Sequence, residues 1–184
     1  MGLALAALAA LALTGAGGES EFRPGQQVGR FTLDDARGFA EYPLYFAGDR
    51  VAGHALVAVL HRSGTAEFVS FVYGDCVAAD DAGCAPPIEI QVWPACRRSL
   101  ALYRSSPAGP ALERTTIRSA PAAVLDDGTR LELQTGRSTV VVFARSRVEL
   151  GRIAGALRSV DSRAADGGRL PPPAAGALEG ELDC

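Results

Sequence analysis

The spacing of apolar residues changes several times along the chain, and each change marks an element. Residues 55–61 are apolar and β-branched and end at Arg62-Ser63-Gly64-Thr65, which predicts a strand running into a turn. Residues 67–73 (EFVSFVY) are apolar on both faces, as a strand in the middle of a sheet is. Residues 88–92 (IEIQV) alternate, as a half-buried strand does. Residues 139–143 (TVVVF) predict a second central strand, and shorter stretches at 44–46, 115–118 and 131–133 predict three more. Asp126-Asp127-Gly128 and Gly136-Arg137 predict turns.

Helical spacing recurs at three places. Thr32, with Asp35 three residues on, fits a helix start, and Gly38 and Pro43 keep that helix short. Pro94 is expected to open a second helix, with Cys96, Leu100 and Tyr103 on one face and Arg97 and Arg98 pointing elsewhere. Ser146 and Glu149 form a capping box ahead of an apolar stripe at Leu150, Ile153, Ala154 and Leu157. Parallel strands need long crossovers, and most of these connections are short. The expected fold class is therefore α+β: a single domain, mainly an antiparallel sheet, with the two longer helices on one face.

The ends read differently. Residues 3–13 are almost unbroken Leu and Ala, and Thr14-Gly15-Ala16 supplies small residues in a cleavage-like pattern. The expectation is a signal peptide or N-terminal membrane anchor over 1–16, a linker over 17–30, the α+β domain over 31–160, and a disordered tail over 161–184. That last segment is dominated by Pro, Gly and Ala and shows no period.

Composition removes several functions. A hydrophobic share of 48% against 21% charged supports one packed core in 184 residues. The net charge of −3 and the lack of a basic stripe argue against nucleic acid as partner. All 18 basic residues are arginine, so lysine chemistry of every kind is excluded. With only His54 and His61, a three-histidine metal site is excluded as well. Their odd separation within one strand should put them on opposite faces. No G-x-S-x-G is present. No cofactor and no metal are expected, and the chain is read as non-enzymatic.

The four cysteines are the richest signal. An exported chain meets an oxidising compartment, where disulfides are the default. Cys76 and Cys84 bracket the loop VAADDAG between two strands that should pair, which favours a Cys76–Cys84 bridge. Closing that loop would stabilise by roughly 2–3 kcal/mol. Cys96 is left as a buried thiol, or as a partner of Cys184 or of a second chain; the sequence leaves its connectivity open. The spacing Cys-x7-Cys-x11-Cys is not one used for zinc. Asp75, Asp80 and Asp81 read as a solvated acidic loop, not a calcium site. Tyr42, Tyr45, Phe46 and Trp93 could line a binding surface, although aromatics in a domain of this size more often pack the core.

Ile90-Gln91-Val92-Trp93-Pro94-Ala95-Cys96-Arg97, followed by Ile117-Arg118-Ser119-Ala120-Pro121, resembles the thioredoxin-like pattern. That resemblance implies a reactive Cys96 at a helix N-terminus and a cis Pro121 facing it. Trp93 stands where the pattern has its first cysteine. The run YPLYFAG…FVYGDC…GCAPPIEIQVWPAC is similar to uncharacterised exported proteins of GC-rich bacteria. The pattern P-A-…-L-E-L-…-V-V-V-F-A-…-L-x-x-I-A-x-x-L resembles the extracytoplasmic domains of membrane-anchored anti-sigma factors and sporulation lipoproteins. These resemblances imply a place outside the cytoplasm and bring no catalytic residues. The expected function is a non-catalytic extracytoplasmic domain, secreted or membrane-tethered only through its N-terminal segment, that binds a protein or envelope component. The alternative is a thioredoxin-like thiol protein using Cys96 and Pro121.

Overall fold

The computed structural model describes residues 28–64, 66–76, 84–100, 113–161 and 168–184. The expected leader over 1–16 and most of the expected linker lie outside these residues. The described part is a single sheet-rich domain with two helices and an open antiparallel sheet.

The strands are β1 (Val28–Phe31), β2 (Tyr45–Phe46), β3 (Arg50–Val51), β4 (His54–Arg62), β5 (Phe68–Tyr73), β6 (Ile88–Pro94), β7 (Glu113–Ile117), β8 (Ala120–Leu125), β9 (Arg130–Thr135), β10 (Ser138–Phe143) and β11 (Arg158–Ser159). The helices are α1 (Leu33–Gly38) and α2 (Arg147–Ala156). In space the main sheet runs β1-β4-β5-β6-β10-β9-β8-β7, with β3 paired to β4. One meander, β4 to β6, builds half of it. The chain then crosses to the far edge, and a second meander, β7 to β10, walks back until β10 pairs with β6. β2 and β11 make a separate short pair.

Strand alternation gives the sheet two unlike faces. Val69, Phe71, Tyr73, Ile88, Ile90, Val92, Leu131, Leu133, Val140 and Val142 point to one side and join Ala36 of α1 and Leu150, Ile153 and Ala154 of α2 in one apolar core. Both helices thus bury residues against the same face. Thr32 caps α1: its Oγ1 accepts from the Asp35 amide at 3.1 Å, and Asp35 accepts in return from the Thr32 amide at 2.8 Å. Ser146 caps α2 by accepting from the Glu149 amide at 3.3 Å.

The opposite face is polar and covered. Ser70 donates to Glu89 Oε1 at 2.6 Å, Gln91 to the same oxygen at 3.0 Å, and Trp93 Nε1 to Gln91 at 3.1 Å. Beside this ladder Glu132 is fully buried and accepts from Arg98, which also stacks over Trp93 at 5.1 Å. Trp93 in turn stacks on Phe68 at 4.3 Å.

Four expectations change. The helix expected from Pro94 is absent over the described residues: Pro94 ends β6 opposite Ser138, and residues 95–98 turn back on its carbonyl. The pairing of β6 with β10 extends through Pro94, and the Arg98 contacts with Glu132 and Trp93 hold the turn. Tyr103 lies outside the described residues. The stretch expected to be a linker contains Val28–Phe31, which pairs with the outer edge of β4. The segment Ile117–Pro121 is a two-residue hairpin turn in which Arg118 (φ 49°) and Ser119 (φ 75°) both adopt left-handed backbone.

The largest change is the C-terminal segment, expected to be disordered. Residues 168–184 form a strap. Leu170 packs into the apolar core, and Ala177 is buried on the polar side. Between them Pro173 bridges Gly136 at the β9–β10 turn, so the strap rounds the end of the sheet from one face to the other. The prolines make this ordering cheap: they have no N–H to satisfy and little freedom to lose. Their carbonyls accept from Thr135 Oγ1 at 2.7 Å and the Gly136 amide at 3.1 Å, and the Gln134 side chain holds the Ala177 carbonyl at 2.9 Å.

Candidate functional site

Two disulfides fix the loops. Cys76–Cys84 joins residues whose Cα atoms are 6.0 Å apart, and Cys96–Cys184 joins residues 5.4 Å apart. The first is the bridge expected from the loop; the second resolves the connectivity of Cys96. Free cysteines are absent, and the pairing points to an oxidising, extracytoplasmic environment. No helix among the described residues is long and apolar enough to cross a membrane. Asp75 is exposed, and Asp80 and Asp81 lie outside the described residues.

Cys96–Cys184 sits beside a depression of about 240 Å³ at one end of the sheet. Five pieces of chain meet there. The α1–β2 loop brings Glu41 and Tyr42, and the approach to β5 brings Glu67. The turn after β6 brings Arg97, and the β9–β10 turn brings Arg137. The end of the strap adds Asp183. Backbone contacts lock these pieces together. The Ala95 amide donates to the Arg137 carbonyl at 2.8 Å, and Ser138 Oγ donates to the Pro43 carbonyl at 2.6 Å.

Behind the depression lies a cluster of rings. Tyr42 packs edge-on against Phe39 at 4.9 Å, and Phe39 and Phe31 both contact His61, at 5.5 and 5.3 Å. Among the described residues the buried Tyr42 Oη and His61 Nε2 have no hydrogen-bond partner. The Val69 backbone favours the phenolate form of Tyr42. Burial pushes the Tyr42 hydroxyl well above its usual range, and Glu67 and then Glu41 push it further. The Glu41 carboxyl is held above the usual carboxylate range, chiefly by a hydrogen bond with Glu67, then by desolvation and by repulsion from Glu67, with His61 acting the other way. The contact with Glu67 therefore favours the protonated form of Glu41.

The expected site residues are placed as follows. Cys96 lines this depression and is bonded to Cys184. Pro121 lines a different, more apolar depression against β7 and Leu178 of the strap, and all described peptide bonds are trans. The free thiol and cis-proline of the thioredoxin-like alternative are therefore not the arrangement present. Tyr45 and Phe46 are core residues, and Trp93 belongs to the polar face; of the four aromatics considered for a surface, Tyr42 alone reaches the depression. His54 and His61 correct the alternation argument. A bulge between Leu56 and Ala58 inserts one residue into β4, so Leu56 and Val59 both meet the apolar core and odd spacing no longer separates faces.

Sequence reading missed Glu41 and Glu67, treated Arg97 as a helix residue facing away, and treated Arg137 as a turn marker. All four are single polar residues in loops, with no mutual spacing to detect. No family model, curated protein or solved structure matches the chain.

Proposed function

We propose that this chain is a non-catalytic extracytoplasmic domain, secreted or membrane-tethered, that binds a protein or envelope component at the disulfide-stapled end of its sheet. One observation favours this reading above the rest. Glu41, Glu67, Tyr42, Arg97 and Arg137 converge on one depression, where the buried Tyr42 Oη has no hydrogen-bond partner and, among the described residues, neither arginine makes a side-chain ion pair. Folded chains satisfy buried polar groups, so a buried hydroxyl left without a partner beside a cavity is a group available to a ligand. The two disulfides support the location.

The test uses the oxidised full chain. It is recovered from outside the cytoplasm and sedimented with purified envelope material, beside Arg137→Ala and Glu67→Gln variants that keep the native circular dichroism spectrum. Retention of the wild type and loss by both variants is the expected result. A reduced protein in the cytosol, or retention that neither variant changes, overturns the reading. A thioredoxin-like protein would instead catalyse thiol–disulfide exchange, and no such activity is expected of a Cys96 bonded to Cys184.

A further inference from the structure

We infer that the depression at the stapled end is a site for a small zwitterion, an amino acid or short peptide, whose ammonium meets Glu41, Glu67 and Tyr42 and whose carboxylate meets Arg97 and Arg137. The inference rests on the binding reading above and adds the chemical class of the ligand.

The first argument is charge. Three acids (Glu41, Glu67 and Asp183) and two guanidiniums (Arg97 and Arg137) line a single depression. Two other arginines show what pairing on contact looks like: Arg98 reaches Glu132 at 2.5 Å, and Arg147 reaches Glu113 at 2.7 Å. Among the described residues neither Arg97 nor Arg137 makes a side-chain ion pair. Opposite charges that share a cavity and do not touch leave a gap between them. A ligand with both signs closes that gap, whereas a simple cation leaves the arginines unmatched and a simple anion leaves the acids unmatched.

The second argument is the count of hydrogen-bonding groups. An ammonium has three N–H donors. The Glu41 and Glu67 carboxyls and the Tyr42 oxygen are three acceptors around one position. Tyr42 is 5% exposed, and its Oη is buried without a partner. Arg97 and Arg137 offer the forked donors that suit a carboxylate.

The third argument is size. A water molecule takes about 30 Å³ of liquid, so a space of this volume holds roughly eight waters, or a molecule of about as many heavy atoms. That is an amino acid or a small dipeptide. The site is also rigid. Cys96–Cys184 holds the strap end against the β6 turn, and the Ala95 to Arg137 hydrogen bond holds that turn to the next, so little ordering is left for binding to complete.

Binding has a proton signature. At a pH where the Glu41 carboxyl, raised by its contact with Glu67, still holds its proton, an ammonium between the two groups releases it to solvent; no other bond forms or breaks.

The test is isothermal calorimetry on the oxidised full chain with glycine, lysine and glycylglycine as zwitterions, and with ethylammonium and acetate as the two halves. At least one zwitterion should bind about tenfold or more tighter than either half. Its heat should differ between buffers of different ionisation enthalpy, as proton release requires. Tyr42→Phe, which keeps the ring packing, Glu67→Gln and Arg137→Ala should each weaken binding by about tenfold. Acetate binding as tightly as the best zwitterion, ethylammonium doing so, or no zwitterion heat up to about 10 mM overturns the inference. If the wild type is retained by envelope material and Arg137→Ala is not, while the wild type binds no zwitterion, the ligand class alone fails; a wild type that neither is retained nor binds a zwitterion sinks the binding reading with it.

Discussion

The two faces of the sheet are covered by opposite means, one fully and one in part. On one, aliphatic and aromatic side chains meet two capped helices in a single apolar core. On the other, Glu132, Gln134, Gln91 and Glu89 are held in a hydrogen-bonded network beneath Arg98, Trp93 and the strap. The first face is stabilised by removal of apolar surface from water and tolerates imperfect geometry. The second is stable only while every partner is in place, because a buried polar group left unpaired costs more than its bond contributes. A cover made of a proline strap must then be fastened, and Cys96–Cys184 fastens it beside the candidate site.

The largest effect that sharpens this contrast comes from the fastening. Replacing Cys96 and Cys184 together by Ala should cost about 4.6 kcal/mol on chain-entropy grounds, since the bridge spans 88 residues of sequence. The same change at Cys76 and Cys84, which span 8, should cost about 2.5 kcal/mol. Urea unfolding of the two variants measures the order, and equal midpoints would break the comparison.

Next come the faces themselves. Leu133→Ala on the apolar face should cost about 3 kcal/mol. Glu132→Ala on the neighbouring position should cost about as much, because it strands Arg98. The faces part company in the repair: Glu132→Leu with Arg98→Met should recover most of the loss, to within about 1 kcal/mol of wild type. A double variant as unstable as Glu132→Ala would mean that the polar network itself stabilises the fold.

The smallest effect is electrostatic. The folded chain raises the Glu41 carboxyl, so its protonated form is favoured and its contribution is complete below the unfolded carboxylate range. It is lost as pH rises through the folded value. Glu41→Gln should therefore flatten that part of the stability–pH profile and leave the acid limb unchanged. Asp35 and Glu113 are lowered by Thr32 and Arg147, and their contributions are lost in the other direction, as pH falls. A profile in Glu41→Gln identical to wild type would count against the raised Glu41 carboxyl.

The apolar face was legible in the sequence, and the polar face was not. EFVSFVY and TVVVF mark β5 and β10 because continuous apolar runs have few other uses, and Ser146 with Glu149 marks α2 through its cap. Glu132 and Gln134 occupy the outward positions of an alternating strand, where polar residues ordinarily meet water; only the strap turns them inward. β8 escaped notice because its residues are small and its turn, Arg118-Ser119, lacks the Gly or Asn that usually announces left-handed backbone. The strap escaped because proline, glycine and alanine suit either disorder or a covalently closed extended segment, and the choice depends on a cysteine 88 residues away. The candidate site is assembled from loop ends by topology, which spacing does not encode.

The whole account turns on sulfur pairing. Non-reducing peptide mapping by mass spectrometry, on protein recovered from outside the cytoplasm and alkylated before digestion, reads it directly. The account predicts a Cys76–Cys84 linked peptide and a Cys96–Cys184 linked peptide with no alkylated thiol. Alkylated Cys96 and Cys184, or Cys96 joined to Cys76 or Cys84, would contradict it.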